Sequence, residues 1–119
     1  MSILEGKRIL MVEDSPVVAD VTTQILQDLG CLVVGPAPNM ARARELAEEE
    51  ALDAAIIDLR VRGEKAYPIC EILASRGVPF LLTSGYADWD LPAKWADRPT
   101  LAKPYELKDV EIGLVGLLN

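Results

Sequence analysis

Short apolar runs alternate along the chain with segments in which apolar residues recur every three or four positions. The runs predict buried strands, because both faces of a strand in a parallel sheet are covered. They lie at residues 9–12, 32–34, 54–57, 78–82 and 100–102. The segments between them predict amphipathic helices that pack on the sheet. This alternation indicates an α/β fold with helices on both faces of one open parallel sheet.

Four helices are predicted from the periodic segments. The first starts at Pro16, a residue suited to a first helical turn, and ends at Gly30, a suitable C-terminal cap. Its expected inward stripe is Val18, Val21, Ile25 and Leu29. The other three are expected to follow Asn39, to span about 67–76 and to follow Pro104.

The connection between the last two predicted strands, residues 84–99, differs from the others. It contains two prolines and little apolar periodicity, so we expect a long loop or at most one or two helical turns. It also holds the two tryptophans of the chain, Trp89 and Trp95. At least one of them is expected to pack in the core, and an exposed one would be a candidate anchor for a partner.

The elements together predict a doubly wound five-stranded parallel sheet in the order 2-1-3-4-5. The helix that would connect strands four and five, the fourth helix of such a fold, is expected to be shortened or absent, and the helix after Pro104 is then the fifth. A single domain is expected to cover residues 1–119, because a chain of 119 residues can bury a core without disulfides or metals. The two cysteines, Cys31 and Cys70, are expected to be reduced and buried.

Charge and composition narrow the possible partners. The formal net charge of −7 argues against nucleic acid or an anionic membrane, because both bind basic surfaces. We find neither an apolar run long enough for a membrane span nor a signal peptide, and we therefore expect a cytoplasmic protein. The chain has no histidine, so any phosphohistidine chemistry must come from another molecule.

Three acidic residues follow the first and third predicted strands: Glu13 and Asp14 after the first, and Asp58 after the third. In a sheet of this order the carboxyl ends of those two strands flank the ligand-binding crevice. Two like charges about 4 Å apart cost about 4 kcal/mol at an effective dielectric near 20. A hard cation with oxygen ligands relieves that repulsion, so we expect a site for Mg²⁺, with Mn²⁺ as the alternative ion.

The fourth and fifth predicted strands are also directly followed by polar residues, Thr83 and Lys103. A hydroxyl group and an ammonium group beside a metal–carboxylate cluster suit a phosphoryl group. Taken alone, each of these residues is more common as a helix cap, a turn residue or a surface residue. Their arrangement in the correct order at the strand ends is what predicts a site.

Four segments, ILMVEDSP, AAIIDLRV, LLTSGY and LAKPY, together resemble the receiver domain of two-component response regulators over nearly the whole chain. The resemblance implies that Asp58 accepts a phosphoryl group from the phosphohistidine of a sensor histidine kinase or a histidine phosphotransfer protein. It implies that Asp14, Asp58 and the backbone carbonyl of Arg60 bind Mg²⁺. Glu13 would act mainly through metal-bound water.

The same resemblance assigns roles to the polar residues of the last two strands. Lys103 would pair with the phosphoryl oxygens, and Thr83 would donate a hydrogen bond to them and report phosphorylation. The peptide bond between Lys103 and Pro104 would be cis. Activity beyond phosphorylation and dephosphorylation of the domain itself is not expected.

The sequence departs from the usual receiver pattern in two places. The position of the usual switch aromatic is Thr100, and Tyr86 is the candidate substitute. The second departure is the irregular connection between the last two predicted strands. In this feature the sequence resembles a subgroup of receivers in which the fourth helix is degenerate, found in stand-alone regulators and hybrid kinases of alphaproteobacteria. A homodimer remains open, as does the choice between a stand-alone regulator and part of a larger protein.

Two alternative functions fit the fold class. A Mg²⁺-dependent aspartyl-phosphate phosphatase would need a second aspartate two residues after its nucleophile and a cap insertion, for which the chain has no room. A receiver-like interaction module that works without phosphate would not need the complete set of acids, threonine and lysine. Two cofactor sites on this fold are disfavoured. A flavin site would need a small loop rich in hydroxyl and amide groups after the first strand, and a dinucleotide site would need a G-x-G-x-x-G motif there, whereas the sequence has EDSP.

Overall fold

The structure is a computed structural model, and it describes residues 2–85 and 91–119. In chain order, the strands of the described residues are β1 (Arg8–Val12), β2 (Leu32–Ala37), β3 (Ala54–Asp58), β4 (Arg60–Val61), β5 (Glu64–Lys65), β6 (Phe80–Ser84) and β7 (Thr100–Ala102). The helices are α1 (Pro16–Asp28), α2 (Met40–Glu49), α3 (Tyr67–Ser75) and α4 (Leu107–Leu118).

Five of the strands form a parallel sheet in the order β2-β1-β3-β6-β7. This arrangement confirms the predicted doubly wound order, in which the last two strands were numbered four and five. The difference in numbering comes from a short antiparallel hairpin, β4–β5, that the sequence did not predict. The described part of the chain contains no helix long and apolar enough to cross a membrane.

The two faces of the sheet carry separate hydrophobic clusters. One cluster joins the sheet to α2 and α3 through residues such as Leu46 and Leu73. The other joins it to α1 and α4 through residues such as Leu26 and Leu114. Both cysteines are free and buried within these clusters, as predicted. The helices therefore lie on both faces and leave the carboxyl ends of the strands open.

Side-chain caps fix the beginnings of two helices next to those strand ends. Directly after the two acids that follow β1, the Ser15 hydroxyl accepts a hydrogen bond from the Val18 amide at 3.4 Å. The Asn39 side chain accepts one from the Arg42 amide at 2.9 Å. Each cap satisfies an amide that the helix itself cannot pair, so the helix begins at a defined residue.

The described part of the connection between β6 and β7 contains a three-residue 3₁₀ helix, Ala93–Trp95, in place of a regular α-helix. Trp95 is 3% exposed and its ring meets that of Phe80 edge-to-face, with centroids 5.7 Å apart. A tryptophan therefore packs in the core, as predicted. Trp89 and Tyr86 lie outside the described residues, so their expected roles stay predictions.

The predicted inward face of α1 is wrong at one position. Val21 is 52% exposed, whereas Ala19 and Thr22 are buried. These two residues share the buried face of α1 with Ile25 and Leu26, and the buried Thr22 hydroxyl is paired with that of Tyr105. Element boundaries also shift: β2 extends to Ala37, and β6 begins at Phe80, two residues later than predicted.

Candidate functional site

The strand register brings the predicted site residues to one edge of the sheet. Asp58, the last residue of β3, lies opposite Thr83 of β6. Ser84, the next residue of β6, lies opposite Ala102 of β7, directly before Lys103. Because β1 pairs with β3 up to Val12 and Ile57, Glu13 follows at the same level as Asp58. Parallel pairing alone thus places these side chains around one crevice.

Glu13, Asp14 and Asp58 each place a carboxylate oxygen within 4.8 Å of the others. Glu13 and Asp58 are buried, with 4% and 6% of their surfaces exposed, and Asp14 is half-buried. Like charges held this closely repel one another, and burial increases the cost. Three oxygen ligands on a partly open edge are the donor set that a Mg²⁺ ion binds while keeping some of its water.

Lys103 lies inside this group of acids. Its Nζ is 2.7 Å from Oε1 of Glu13 and 2.9 Å from Oδ2 of Asp58. The strand fixes the position of its backbone, because the Lys103 amide donates to the Ser84 carbonyl at 2.9 Å. When all four side chains are ionised, three carboxylates and one ammonium leave two negative charges uncompensated. That residual charge matches one divalent cation.

The pKa of Glu13 is raised to about 7, mainly because burial penalises its charged form, although hydrogen bonds from Lys103 and the Ser15 amide oppose the shift. Burial alone would lower the pKa of Lys103. Its hydrogen bonds to Glu13 and Asp58 outweigh that effect, so the pKa of Lys103 is raised overall. The lysine therefore keeps its charge, while Glu13 is costly to ionise.

The hairpin β4–β5 contributes contacts that the sequence did not suggest. At its tip the Arg62 amide donates to Oδ2 of Asp14 at 2.8 Å, and the Arg62 side chain donates from Nε to the Pro38 carbonyl at 3.2 Å. Arg62 has a φ of 50° and is followed by Gly63 with a φ of 80°. This turn was not predicted, and nothing in the sequence showed that it would reach Asp14.

The structure leaves some of the predicted roles untested. Thr83 is buried at the end of β6, and the Arg60 amide donates to Oδ1 of Asp58 at 3.2 Å. The Arg60 carbonyl as a metal ligand and the Thr83 hydroxyl as a phosphoryl donor stay predictions. Thr100, at the position of the usual switch aromatic, is exposed on β7. The peptide bond between Lys103 and Pro104 is cis, as predicted.

Replacing Lys103 with Met is expected to tighten Mg²⁺ binding by about tenfold, because a positive charge close to the acids opposes a divalent cation by more than 1 kcal/mol even in water. Titration with Mg²⁺, followed by tryptophan fluorescence or calorimetry, measures the change. Lys108→Met removes the same charge from an exposed position on α4 and should leave the affinity unchanged. Weaker binding by Lys103→Met would mean that the lysine organises the acids more than it opposes the ion.

Residues 9–109 match the response regulator receiver domain. The match covers most of the chain and includes every predicted site residue. The chain therefore belongs to the receiver domain family of two-component signalling. This match confirms the family that the sequence resembled. The resemblance was carried by the paired acids after β1, the aspartate that ends β3 and the lysine after β7.

Three relatives illustrate the similarity. The chain is 38% identical to SdrG from Sphingomonas melonis Fr1, and the two structures cover each other completely with a TM-score of 0.85. The receiver domain of the sensor histidine kinase PA1611 from Pseudomonas aeruginosa PAO1, solved with a magnesium ion in its active-site cleft, is 25% identical. That match covers 95% of this chain and 98% of the other, with a TM-score of 0.81.

The transcriptional regulatory protein PdtaR of Mycobacterium tuberculosis is 27% identical over 108 residues. That match covers 87% of this chain but 53% of PdtaR, so the chain spans about half the length of the curated relatives it matches. The similarity to PdtaR thus concerns about half of that protein.

Proposed function

We propose that this receiver domain accepts a phosphoryl group on Asp58 from the phosphohistidine of a partner protein and thereby changes its affinity for a downstream protein. The observation that supports this proposal is the position of Lys103, 2.9 Å from Asp58 beside a cluster of three carboxylates. A site that binds a metal ion but no phosphoryl group has no need of an ammonium group inside its ligand cluster.

In the proposed reaction, a carboxylate oxygen of Asp58 attacks the phosphorus of the phosphohistidine. The new P–O bond gives an aspartyl phosphate, the P–N bond breaks, and the imidazole leaves with the electron pair of that bond. Lys103 compensates charge on the transferred group, since its Nζ already lies within hydrogen-bonding distance of an Asp58 oxygen. Thr83 is in register with Asp58 and is proposed to donate its hydroxyl to a phosphoryl oxygen.

Glu13, Asp14 and Asp58 fit Mg²⁺ by their chemistry and their spacing, and receiver domains bind this ion in an acidic pocket. We propose that Asp14 and Asp58 ligate it directly, together with the Arg60 carbonyl, and that Glu13 acts through bound water. Mn²⁺ offers similar octahedral coordination to oxygen ligands. When bound, the ion would neutralise charge on the phosphoryl oxygens.

The proposal is tested by intact mass after the protein is incubated with a small phosphodonor, such as acetyl phosphate, with and without Mg²⁺. A gain of one phosphoryl group that requires Mg²⁺ is the expected result. If a folded protein gains nothing from the small donor and nothing from a phosphorylated histidine phosphotransfer protein, the proposal fails. The phosphate-independent interaction module would then be the better interpretation.

Binding of Mg²⁺ is expected to raise the melting temperature, because it relieves repulsion among the three carboxylates. At ten times its dissociation constant, a ligand adds about 1.4 kcal/mol, which is several degrees for a domain of this size. Asp14→Ala and Asp14→Asn should both abolish the rise, while Asp97→Ala, which removes an exposed acid, should preserve it. An unchanged rise in both Asp14 variants would contradict the assigned ligands.

The remaining proposals follow from membership in the family. Receiver domains interact with histidine kinases or phosphotransfer proteins, and we propose a bacterial partner of this kind acting in the cytoplasm. We propose that the domain modifies no substrate other than its own Asp58. Sedimentation of the phosphorylated and unphosphorylated forms distinguishes a monomer from a homodimer.

A further inference from the structure

A hydrogen bond between two side chains that are far apart in sequence joins α1 to the link between β7 and α4. The hydroxyl oxygens of Thr22 and Tyr105 are 2.7 Å apart, although 83 residues separate them in the chain. Thr22 is 1% exposed and Tyr105 is half-buried. A hydroxyl in such surroundings is costly unless it is paired, so this contact favours one arrangement of the two elements that carry it.

These two elements are the ones that carry opposite sides of the site. Thr22 lies on α1, the helix that begins two residues after Asp14. Tyr105 lies two residues after Lys103, in the link between β7 and α4. The side chains of Thr22, Lys103 and Tyr105 line the same groove, which has a volume of about 280 Å³. The hydrogen bond therefore joins the helix that follows the acids to the link that follows the lysine.

The link that carries Lys103 follows the edge strand of the sheet and packs partly against the core through Tyr105. β7 is a three-residue strand at the edge of the sheet, and both Thr100 and Ala102 are exposed. The Lys103 amide is bonded to the Ser84 carbonyl, and α4 starts only at Leu107, where Glu106 and Asp109 form a capping box. Between the Lys103 amide and the start of α4, Tyr105 is the residue whose side chain forms a hydrogen bond with α1.

We propose that the hydrogen bond between Thr22 and Tyr105 is a positioning contact, which holds Lys103 where its ammonium group can meet the phosphoryl group on Asp58. The inference rests on the proposed function, since it assigns Lys103 a role in phosphoryl transfer. Neither Thr22 nor Tyr105 is a catalytic residue, because both act through the position of Lys103.

The test compares Tyr105→Phe, Thr22→Val and the double variant with the wild-type protein. We measure the rate of phosphorylation by acetyl phosphate at saturating Mg²⁺ and donor concentrations, and the Mg²⁺ dissociation constant in parallel. Each single variant should slow phosphorylation by about three- to tenfold, and the double variant should be no slower than either, because all three lack the same bond. The Mg²⁺ dissociation constant should not change, since the acids remain in place.

Two further variants separate positioning from general stability. Thr22→Ser keeps a hydroxyl and should retain the wild-type rate. Tyr67→Phe removes a tyrosine hydroxyl at the start of α3, on the opposite face of the sheet, and should also leave the rate unchanged. Wild-type rates in both Tyr105→Phe and Thr22→Val, or additive losses in the double variant, would overturn the proposal.

A second measurement does not depend on phosphorylation. In ¹⁵N-labelled protein, an ammonium group held by two ion pairs exchanges its protons slowly, so that Lys103 should give a detectable ammonium signal, assigned by its loss in Lys103→Met. The signal should broaden or disappear in Tyr105→Phe. If the wild-type protein accepts no phosphoryl group, the proposed function fails, but an ammonium signal unchanged in Tyr105→Phe would still overturn the positioning contact on its own.

Discussion

Replacing Asp58 with Asn is expected to abolish the gain of one phosphoryl group that the wild-type protein should show with a small phosphodonor and Mg²⁺. The amide has nearly the same shape as the carboxylate but lacks a nucleophilic oxygen, so the pocket is retained while the acceptor is lost. Asp58 is the acid that ends β3, opposite Thr83 and 2.9 Å from the Lys103 ammonium. Intact mass spectrometry measures the outcome.

The control for this experiment is Asp20→Asn, which changes an exposed acid on α1 that has no part in the site. It should gain one phosphoryl group as the wild-type protein does. A phosphoryl gain in Asp58→Asn would show that another carboxylate, such as Glu13 or Asp14, is the acceptor. Peptide mapping of the phosphorylated protein would then identify that residue.

Replacing Trp95 with Ala is expected to reduce the free energy of unfolding by about 3–5 kcal/mol, the usual cost of truncating a buried tryptophan. The indole fills the space beside Phe80, where the described residues form a single 3₁₀ turn. The Arg98 guanidinium lies 4.6 Å from the centre of the Phe80 ring and covers the same cluster. Domains of this size have a free energy of unfolding of about 5–15 kcal/mol, so the substitution would remove a large part of it.

Urea denaturation followed by circular dichroism measures the loss. Trp95→Phe, which keeps an aromatic ring, should cost less, and Val17→Ala, at a position 73% exposed, should change stability by no more than about 0.5 kcal/mol. A Trp95→Ala variant as stable as the wild-type protein would mean that the packing of the indole does not contribute to the free energy of unfolding.

Much of the fold and most of the candidate site could be predicted from the sequence. Five apolar runs marked the strands of the sheet, because strands buried on both faces need continuous apolar sequence. Glu13, Asp58 and Lys103 could be placed together because the order of strands in a parallel sheet brings their carboxyl ends to one edge. The first of these predictions needs only the local pattern of apolar residues, and the second adds one rule about the topology of parallel sheets.

The hairpin β4–β5 could not be predicted, because each of its strands has two residues and carries no periodic signal. Its tip is held by contacts to Asp14 and Pro38, which lie far away in sequence. The orientation of α1 was also ambiguous, since Val21 suits an inward stripe as well as Thr22 does. In the structure Thr22 is the buried residue, and its hydroxyl is paired with that of Tyr105, which lies 83 residues away in sequence.

The sequence by itself determined the strand order, the position of the acids, the threonine and the lysine at the strand ends, and membership in the receiver family. Only the tertiary structure decided which groups touch: Lys103 with both Glu13 and Asp58, the Arg62 amide with Asp14, and Thr22 with Tyr105. The physical reason is that the hydrophobic pattern is a property of the sequence itself. A hydrogen bond or an ion pair instead needs an interatomic distance that is correct to within about a few tenths of an ångström, between residues that only folding brings together.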